Sequence, residues 1–429
     1  MSPVNRSTSR RSFLAGSAAL TAAPMFVPSS VFGANAPSNR ITCGVIGCGA
    51  RGPSHTRTLI RMKQAKVLAV SDVSLSRANA LKGEVDKWYS NTDCTAHQDF
   101  RELLDRKDID AVFIATPENW HGVMMAMASK AGKAIYGEKS LTHTVAEGRA
   151  LIDVVRGNKT IFQSGTQQRS DPKFRKACEL ALNGYLGKVT EIHVGVPGGK
   201  TSAKPGVWPV AEPPADLNWD LWVGPAAAEP YRQDLDRFHW YFVSRYCVGW
   251  IASWGVHHMD IALWGQPSIG AGRMTVEGSA EFFDGTADDS YAWDMTLTPA
   301  NGPRVRFVDN TKGHGQGVRF IGEDGWVQVN RGKIWASDES LLKVQLKESD
   351  TRLQESIHHH ADFFNSIASG KNPVAPIEAC HRATTATVAC DIATRLKRKL
   401  TWDWDSQQFV GDAEANAMLS RPLRGPWKI

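Results

Sequence analysis

Seven cysteines are all that 429 residues carry, an odd number with no C-x-x-C pair among them. That pattern offers neither a disulfide framework nor a zinc knuckle, so Cys43, Cys48, Cys94, Cys178, Cys247, Cys380 and Cys390 read as buried structural thiols. The first 36 residues hold no acidic side chain, only Arg6, Arg10 and Arg11. Those three arginines supply half of the formal charge of +6, leaving +3 for the rest. The remaining basic residues are scattered and never interleave with aromatics as a nucleic-acid surface requires, which excludes nucleic acid as a partner. Long apolar runs are also missing: the Ala/Gly-rich stretch up to Val27 is short and meets Pro24 and Pro28, too little for a membrane span. Internal repeats are absent. With 42% apolar and 22% charged residues, what is left is ordinary globular chain, long enough for two or three domains.

The organising stretch is Ile41–Gly52, a β-branched run that breaks into Gly47-x-Gly49-x-x-Gly52 and passes into a helical pattern. Strand, glycine turn and helix in that order suit a dinucleotide pyrophosphate: a tight turn, a close backbone approach, and a helix N-terminus facing the anion. The motif also requires an acid about twenty residues on, at the end of the next strand. The run 66–71 (KVLAVS) is that strand, and Asp72 closes it. A carboxylate there accepts ribose hydroxyls and repels a 2′-phosphate, so NAD is expected in preference to NADP, with Arg77 near enough to soften the repulsion.

Ser9-Arg10-Arg11-Ser12-Phe13-Leu14 has the twin-arginine pattern, and small residues follow at Ala34–Ala36. Residues 1–36 are therefore expected to be a targeting segment read by the twin-arginine translocation machinery, placing the protein in the periplasm. From 41 to 165 short β-branched runs (41–46, 66–71, 110–115, 133–137, 160–164) alternate with helical segments (53–63, 99–105, 120–131, 144–156). This is the texture of a doubly wound parallel sheet. Ligands gather at the carboxyl ends of such strands, here Thr116-Pro117 and Glu138-Lys139. Beyond 165 come a helix at 171–183, an alternating strand at 189–196 and a Pro/Gly/Trp-rich loop at 198–230. A helix at 253–264, several strands over 273–337 and helices near 355–368 and 379–396 follow, before an extended tail. The expected fold is α/β: a Rossmann domain over 37–165 and an α+β domain with a large open antiparallel sheet over 166–429. Residues 379–429 are expected to pack back on the first domain.

Taken in order, GVIGCGARG, Asp72, ATPENWH (115–121), AGKAIYGEKSL (131–141), GTQQR (165–169), GYLGKV (184–189), WGVHHMD (254–260) and the ending EANAMLSRPLRGPWKI resemble the Gfo/Idh/MocA oxidoreductases. The resemblance runs over most of the chain from residue 41. It implies a nicotinamide-dependent oxidoreductase acting on a hydroxyl of a sugar, glycoside or polyol, usually as a homo-oligomer. It places Gly47, Gly49, Arg51, Gly52, Asp72, Thr116, Pro117, His121, Glu138 and Lys139 at the cofactor. Gln168, Arg169, Trp254, His257 and His258, with Lys139, fall at the substrate.

Lys139 matches the lysine of the family's Glu-Lys-Pro motif and His257 its proton-transferring histidine, which makes these two the expected catalytic residues. An oxidised nicotinamide beside the Lys139 ammonium lowers its pKa by like charge. Two departures stand out. Ser140 replaces the proline, leaving the peptide geometry open. Ser253 stands one turn before His257, where many members carry an aspartate, so the imidazole must be oriented by Asp260 or by a carboxylate from elsewhere. His257-His258-x-Asp260 has the look of a metal cluster, but neighbouring side chains on a helix point apart, and no metal is expected. His358-His359-His360 reads as the polar start of a helix. Tryptophans 208, 219, 222, 240, 250, 254 and 264 cluster, and a subset lining a cleft suits stacking on sugar rings. Two further functions remain open: glycoside cleavage by oxidation, elimination and reduction, and carbohydrate binding by a degenerate site.

Overall fold

The computed structural model describes residues 40–199, 204–309 and 315–429; the twin-arginine stretch lies outside them. Six strands form the first sheet: β1 (Ile41–Ile46), β2 (Ala65–Ser71), β3 (Thr95–His97), β4 (Ala111–Ile114), β5 (Ala134–Gly137) and β6 (Phe162–Ser164). Their order is β3-β2-β1-β4-β5-β6, all parallel. β4 is buried throughout, as a strand covered by helices on both faces must be. The chain reverses its direction of progression between β1 and β4, and a crevice opens there at the carboxyl ends.

Helices α1 (Arg51–Leu59), α2 (Leu75–Tyr89), α3 (Phe100–Leu104), α4 (Glu118–Lys130) and α5 (Val145–Gly157) cover this sheet. Two of these elements depart from the sequence reading, which had five strands and no helix over 75–89. β3 is a three-residue edge strand of Thr-Ala-His with no apolar run to announce it. α2 was legible: Ala78, Leu81 and Val85 recur at helical spacing on its buried face, after the N-cap Ser74.

After α6 (Pro172–Leu182), β7 (Val189–Val196) enters the second sheet. The others are β8 (Arg273–Phe282), β9 (Ser290–Pro299), β10 (Arg304–Asp309), β11 (Gly317–Gly322), β12 (Trp326–Asn330), β13 (Lys333–Ala336), β14 (Leu400–Asp403) and β15 (Gln408–Phe409). They run β13-β12-β11-β7-β10-β9-β8-β14-β15. The sheet is mixed rather than wholly antiparallel, because β7 inserts between β11 and β10 and pairs parallel with β10. Along β10 the alternate residues Val305 and Phe307 enter the core shared with the helices on one face.

The helix expected over 253–264 is divided into α7 (Gly249–Ser253) and α8 (Gly255–Gly265), with Trp254 at the joint. Helices α9 (His359–Ser369) and α10 (Ile377–Leu396) follow. The tail returns to the first sheet's helices. Arg421 pairs with Glu147 of α5 at 2.7 Å and donates to the Asn119 carbonyl at 2.9 Å. Trp427 meets Trp120 edge-on, with ring centroids 4.6 Å apart. No helix among the described residues is long and apolar enough to cross a membrane.

Candidate active site

A cavity of about 540 Å³ opens at the carboxyl ends of β1, β2, β4 and β5. Gly47, Gly49, Arg51, Asp72, Thr116, Pro117, Glu138, Lys139, Trp254 and His257 all line it. Gly47 has φ +94°, and a Cβ there would lie 2.5 Å from the Ala115 carbonyl oxygen. A Cβ on Gly52 would fall 1.8 Å from the Gly47 oxygen, so this glycine serves helix-to-strand packing behind the wall. A Cβ on Gly49 would meet nothing within 4 Å; it would occupy the open space that a close-approaching phosphate needs.

Asp72 accepts from Cys48 N at 2.7 Å through Oδ2 and from Ser74 N at 2.8 Å through Oδ1. Each oxygen keeps a lone pair for a ribose hydroxyl. Burial pushes its carboxyl up, against the pull of those two amides. Arg77, which also lines the cavity, is tied to buried Asp236 at 2.5 Å and to its carbonyl at 3.2 Å. Open space at Gly49, the α1 N-terminus and the half-satisfied Asp72 carboxylate fit a dinucleotide.

The second cluster gathers around Lys139. Its peptide to Ser140 is cis, which closes the question left by the missing proline. Burial pulls the ammonium down, but Tyr241, Glu118 and Glu138 outweigh it, and its pKa lies above the ordinary lysine value. Burial also pushes the Tyr241 phenol up to about 12. The ammonium sits 5.7 Å from the Tyr241 ring centre, a cation–π contact. His257 is held well below its usual range by burial and then by the charges of Lys139 and Arg331, so it is a neutral base. Its Nδ1 has no hydrogen-bond partner among the described residues.

Glu118, which the sequence reading passed over, supplies the carboxylate that Ser253 lacks. It is the first residue of α4, only 1% exposed, and it lines the cavity. Oε1 accepts from Ser253 Oγ at 2.7 Å and Ser140 N at 3.0 Å; Oε2 accepts from Val248 N at 2.9 Å and Cys247 Sγ at 3.2 Å. Burial raises this carboxyl, yet Lys139 and the donors more than compensate, and it stays ionised below its ordinary value. Its position just past the carboxyl end of β4 was the available signal.

Several expected residues lie behind the wall. Arg169 forms a bidentate ion pair with Asp260, both contacts 2.7 Å, and stacks over Trp264. Asp260 therefore does not orient His257, and Arg169 is buried, absent from the cavity lining. His258 is fully buried and donates through Nδ1 to the Gly195 carbonyl at 2.9 Å. His257 and His258 thus point apart as neighbours on a helix do, and Asp260 is drawn away by Arg169. Gln168 is buried, and the neighbouring Gln167 lines the cavity in its place. His121 lies between the carbonyls of Ser140 (2.6 Å) and Thr116 (2.9 Å). A neutral ring donates to one of them, so His121 braces two strand ends rather than touching the cavity.

The 358–360 histidines are not a simple polar face. His359 is buried against Ser170 and the Ser164 carbonyl. His360 Nε2 hydrogen-bonds His55 Nδ1 at 2.9 Å, and His55 Nε2 meets Glu138 Oε1 at 2.9 Å. Arg51 joins the same Glu138 oxygen at 2.8 Å. Of the clustered tryptophans, 222, 240, 250 and 254 line the cavity beside Phe238 and Tyr241, while 208, 219 and 264 do not. Arg331, at the β12–β13 turn, was also missed; it crosses to the cavity rim.

These two clusters on one sheet-end cavity define a dinucleotide-dependent oxidoreductase fold, and family comparison agrees. Residues 41–166 match the oxidoreductase family NAD-binding Rossmann fold, and residues 199–429 match the same family's C-terminal alpha/beta domain. The chain belongs to the Gfo/Idh/MocA oxidoreductase family. Among curated relatives, scyllo-inositol 2-dehydrogenase (NAD(+)) of Bacillus subtilis is 33% identical over 153 residues, 35% of this chain and 42% of that one. Myo-inositol 2-dehydrogenase of Thermotoga maritima is 31% identical over 147 residues, 34% and 42% of the two chains. The matched region thus spans less than half the length of these relatives. In fold, scyllo-inositol dehydrogenase from Lactobacillus casei with bound NAD(H) and scyllo-inositol superposes with a TM-score of 0.58 at 18% identity, covering 84% of this chain and 99% of that one. The WlbA dehydrogenase from Bordetella pertussis, in complex with NADH and UDP-GlcNAcA, gives 0.62 at 14% identity, covering 84% and 98%.

Proposed function

We propose that this chain is an NAD-dependent dehydrogenase that oxidises a hydroxyl of a sugar, glycoside or polyol. The observation that carries the reading is the convergence in one cavity of Gly49 and Asp72 with Lys139 and His257. The names of the inositol dehydrogenases it resembles support a polyhydroxylated substrate. Trp240, Tyr241, Trp250 and Trp254 offer faces on which a sugar ring packs.

A bound nicotinamide supplies the hydride acceptor and, when oxidised, a positive charge. With a nicotinamide held within reach of Lys139, loss of the ammonium proton would be favoured, against the pull of Glu118 and Glu138. Unprotonated Lys139 then takes the proton of the substrate hydroxyl, and neutral His257 is the second base within the same wall. Glu118, fixed by four donors, holds the field at Lys139 and pins the Ser253 hydroxyl and Ser140 amide. Asp72 favours NAD because Arg77, neutralised by Asp236, is not free for a 2′-phosphate.

Export by the twin-arginine route belongs to the same reading. The machinery carries folded proteins, so the chain reaches the periplasm with its nucleotide already held. A retained cofactor favours chemistry that returns the hydride, whether by two alternating sugars or by oxidation, elimination and reduction of a glycoside. Mature protein purified from the periplasm should carry near-stoichiometric nucleotide through gel filtration, and a polyol and glycoside panel should yield oxidised or cleaved product. Protein that purifies empty and consumes free NAD at every turnover would refute cofactor retention. The absence of both nucleotide binding and turnover would refute the dehydrogenase reading.

A further inference from the structure

Four arginines line the cavity: Arg51, Arg77, Arg237 and Arg331. Three have carboxylates: Arg51 with Glu138 at 2.8 Å, Arg77 with Asp236 at 2.5 Å, and Arg237 with Asp234 at 3.6 Å. Arg331 has none among the described residues. Its one side-chain hydrogen bond among the described residues is a long 3.4 Å contact from Nη2 to Gln168 Oε1. Its guanidinium carbon lies 4.8 Å from the Trp254 ring centre, and that ring meets His257 edge-on at 5.6 Å. The residue is exposed at the turn between β12 and β13, while its cationic end reaches the rim beside the proposed catalytic pair.

Resting on the dehydrogenase reading, we propose that Arg331 is a specificity-determining residue, which receives an anionic oxygen group, carboxylate or phosphoryl, carried by the sugar substrate. An arginine fork suits either group, because two parallel N–H donors match two oxygens. Contact with Trp254 holds that fork at the rim, and apart from the long Nη2 contact its donors are free among the described residues. The surrounding charge agrees. Burial, and then the like charge of Arg51, pull the Arg331 guanidinium down, and His257 in turn feels Arg331 and Lys139 as cations. An arriving anion would relieve this repulsion, which a neutral polyol cannot do. The cofactor's pyrophosphate is the competing anion, marked by the open Gly49 and the amides of the α1 N-terminus, where Arg51 already stands as the nearer cation. The contacts of Arg331 itself are with Trp254, which meets His257.

The test compares matched ligands on the NAD-loaded protein by calorimetry: glucose, glucuronate and glucose 6-phosphate, then the galactose series. Wild type should bind an acidic member at least tenfold more tightly than its neutral partner. Arg331→Gln should collapse that ratio to near one, and Arg331→Lys should restore part of it, which a merely structural role would not do. Melting temperatures of both variants report whether the hairpin still folds. Equal or tighter binding of the neutral member would overturn the proposal. So would an Arg331→Gln loss in NAD affinity that matches the loss for the acid, since the guanidinium would then serve the pyrophosphate. Acid binding that depends on Arg331 in a protein with no turnover would instead unseat the dehydrogenase reading and leave the subsite standing. A neutral polyol oxidised without regard to Arg331 would do the reverse.

Discussion

The Ser253 hydroxyl donates to Glu118 Oε1 across 2.7 Å, joining the last residue of α7 to the first residue of α4. A serine where relatives of this family often carry an aspartate therefore does not leave the site without a carboxylate. The charge sits on a residue 135 positions away in the chain.

Ser253→Asp should consequently harm the protein rather than strengthen it. Two carboxylates within hydrogen-bonding distance cannot both ionise, and one must hold a proton. A carboxyl whose folded pKa is raised stabilises the fold only where it stays protonated, so the variant should lose stability as pH rises through that pKa. About 1–3 kcal/mol at neutral pH is expected, recovered on moderate acidification. Thermal melts of variant and wild type from pH 5 to 8 check both sign and size.

Glu118→Gln should shift the titration of Lys139 downward. Tyr241, Glu118 and Glu138 together hold that ammonium above its ordinary value, against burial. With one charge gone, the pH at which Lys139 becomes reactive toward an amine-directed reagent should fall, and the basic limb of any pH–rate profile should fall with it. An unmoved midpoint would mean that Glu118 does not set the field there.

Lys139→Ala and His257→Ala should each cut turnover by roughly 10²–10⁴-fold while fluorescence titration still detects NAD. The double variant should lose far less than the product of the two, since both bases serve one proton. Near wild-type rates in both single variants would move the chemistry elsewhere in the cavity.

Cofactor choice should respond to Asp236 as well as to Asp72. Asp236→Asn frees Arg77 from its 2.5 Å ion pair, and Asp72→Ser removes the repulsion of a 2′-phosphate. Together they should raise the NADP to NAD affinity ratio by about tenfold or more, the scale of a charge-assisted hydrogen bond. A ratio unchanged in the double variant would place the 2′-position away from both side chains.

Acid should weaken the fold well before carboxylates titrate. Burial holds His143, His258 and His360 at about 3 and His359 at about 4, each below the ordinary 6.5. Unfolded chain binds protons at these histidines below pH 6.5 and folded chain does not, so stability is complete above that pH and is lost as pH falls. Melting temperature should drop steadily from pH 7 to pH 5, and a flat profile would contradict the neutral, buried state of these rings.

The sequence by itself determined whatever depends on neighbours along the chain. Gly47, Gly49 and Gly52 are spaced by a turn and the first steps of a helix, Asp72 by one strand, and Lys139 by the end of another. Those distances are set by backbone geometry alone, so the cavity wall they line and the doubly wound sheet were legible. Trp254 and His257 were reached through an ordered set of motifs, although the break between α7 and α8 was not. Tertiary structure decided every choice between partners. Arg169 and Asp260, 91 residues apart, took each other and left the substrate wall. His55 and His360, 305 residues apart, met behind Glu138. Glu118 turned to Ser253, and Arg331 arrived from a distant hairpin. A buried charge takes the oppositely charged group or donor that packing brings within about 3 Å, and no spacing in the sequence records which one that is.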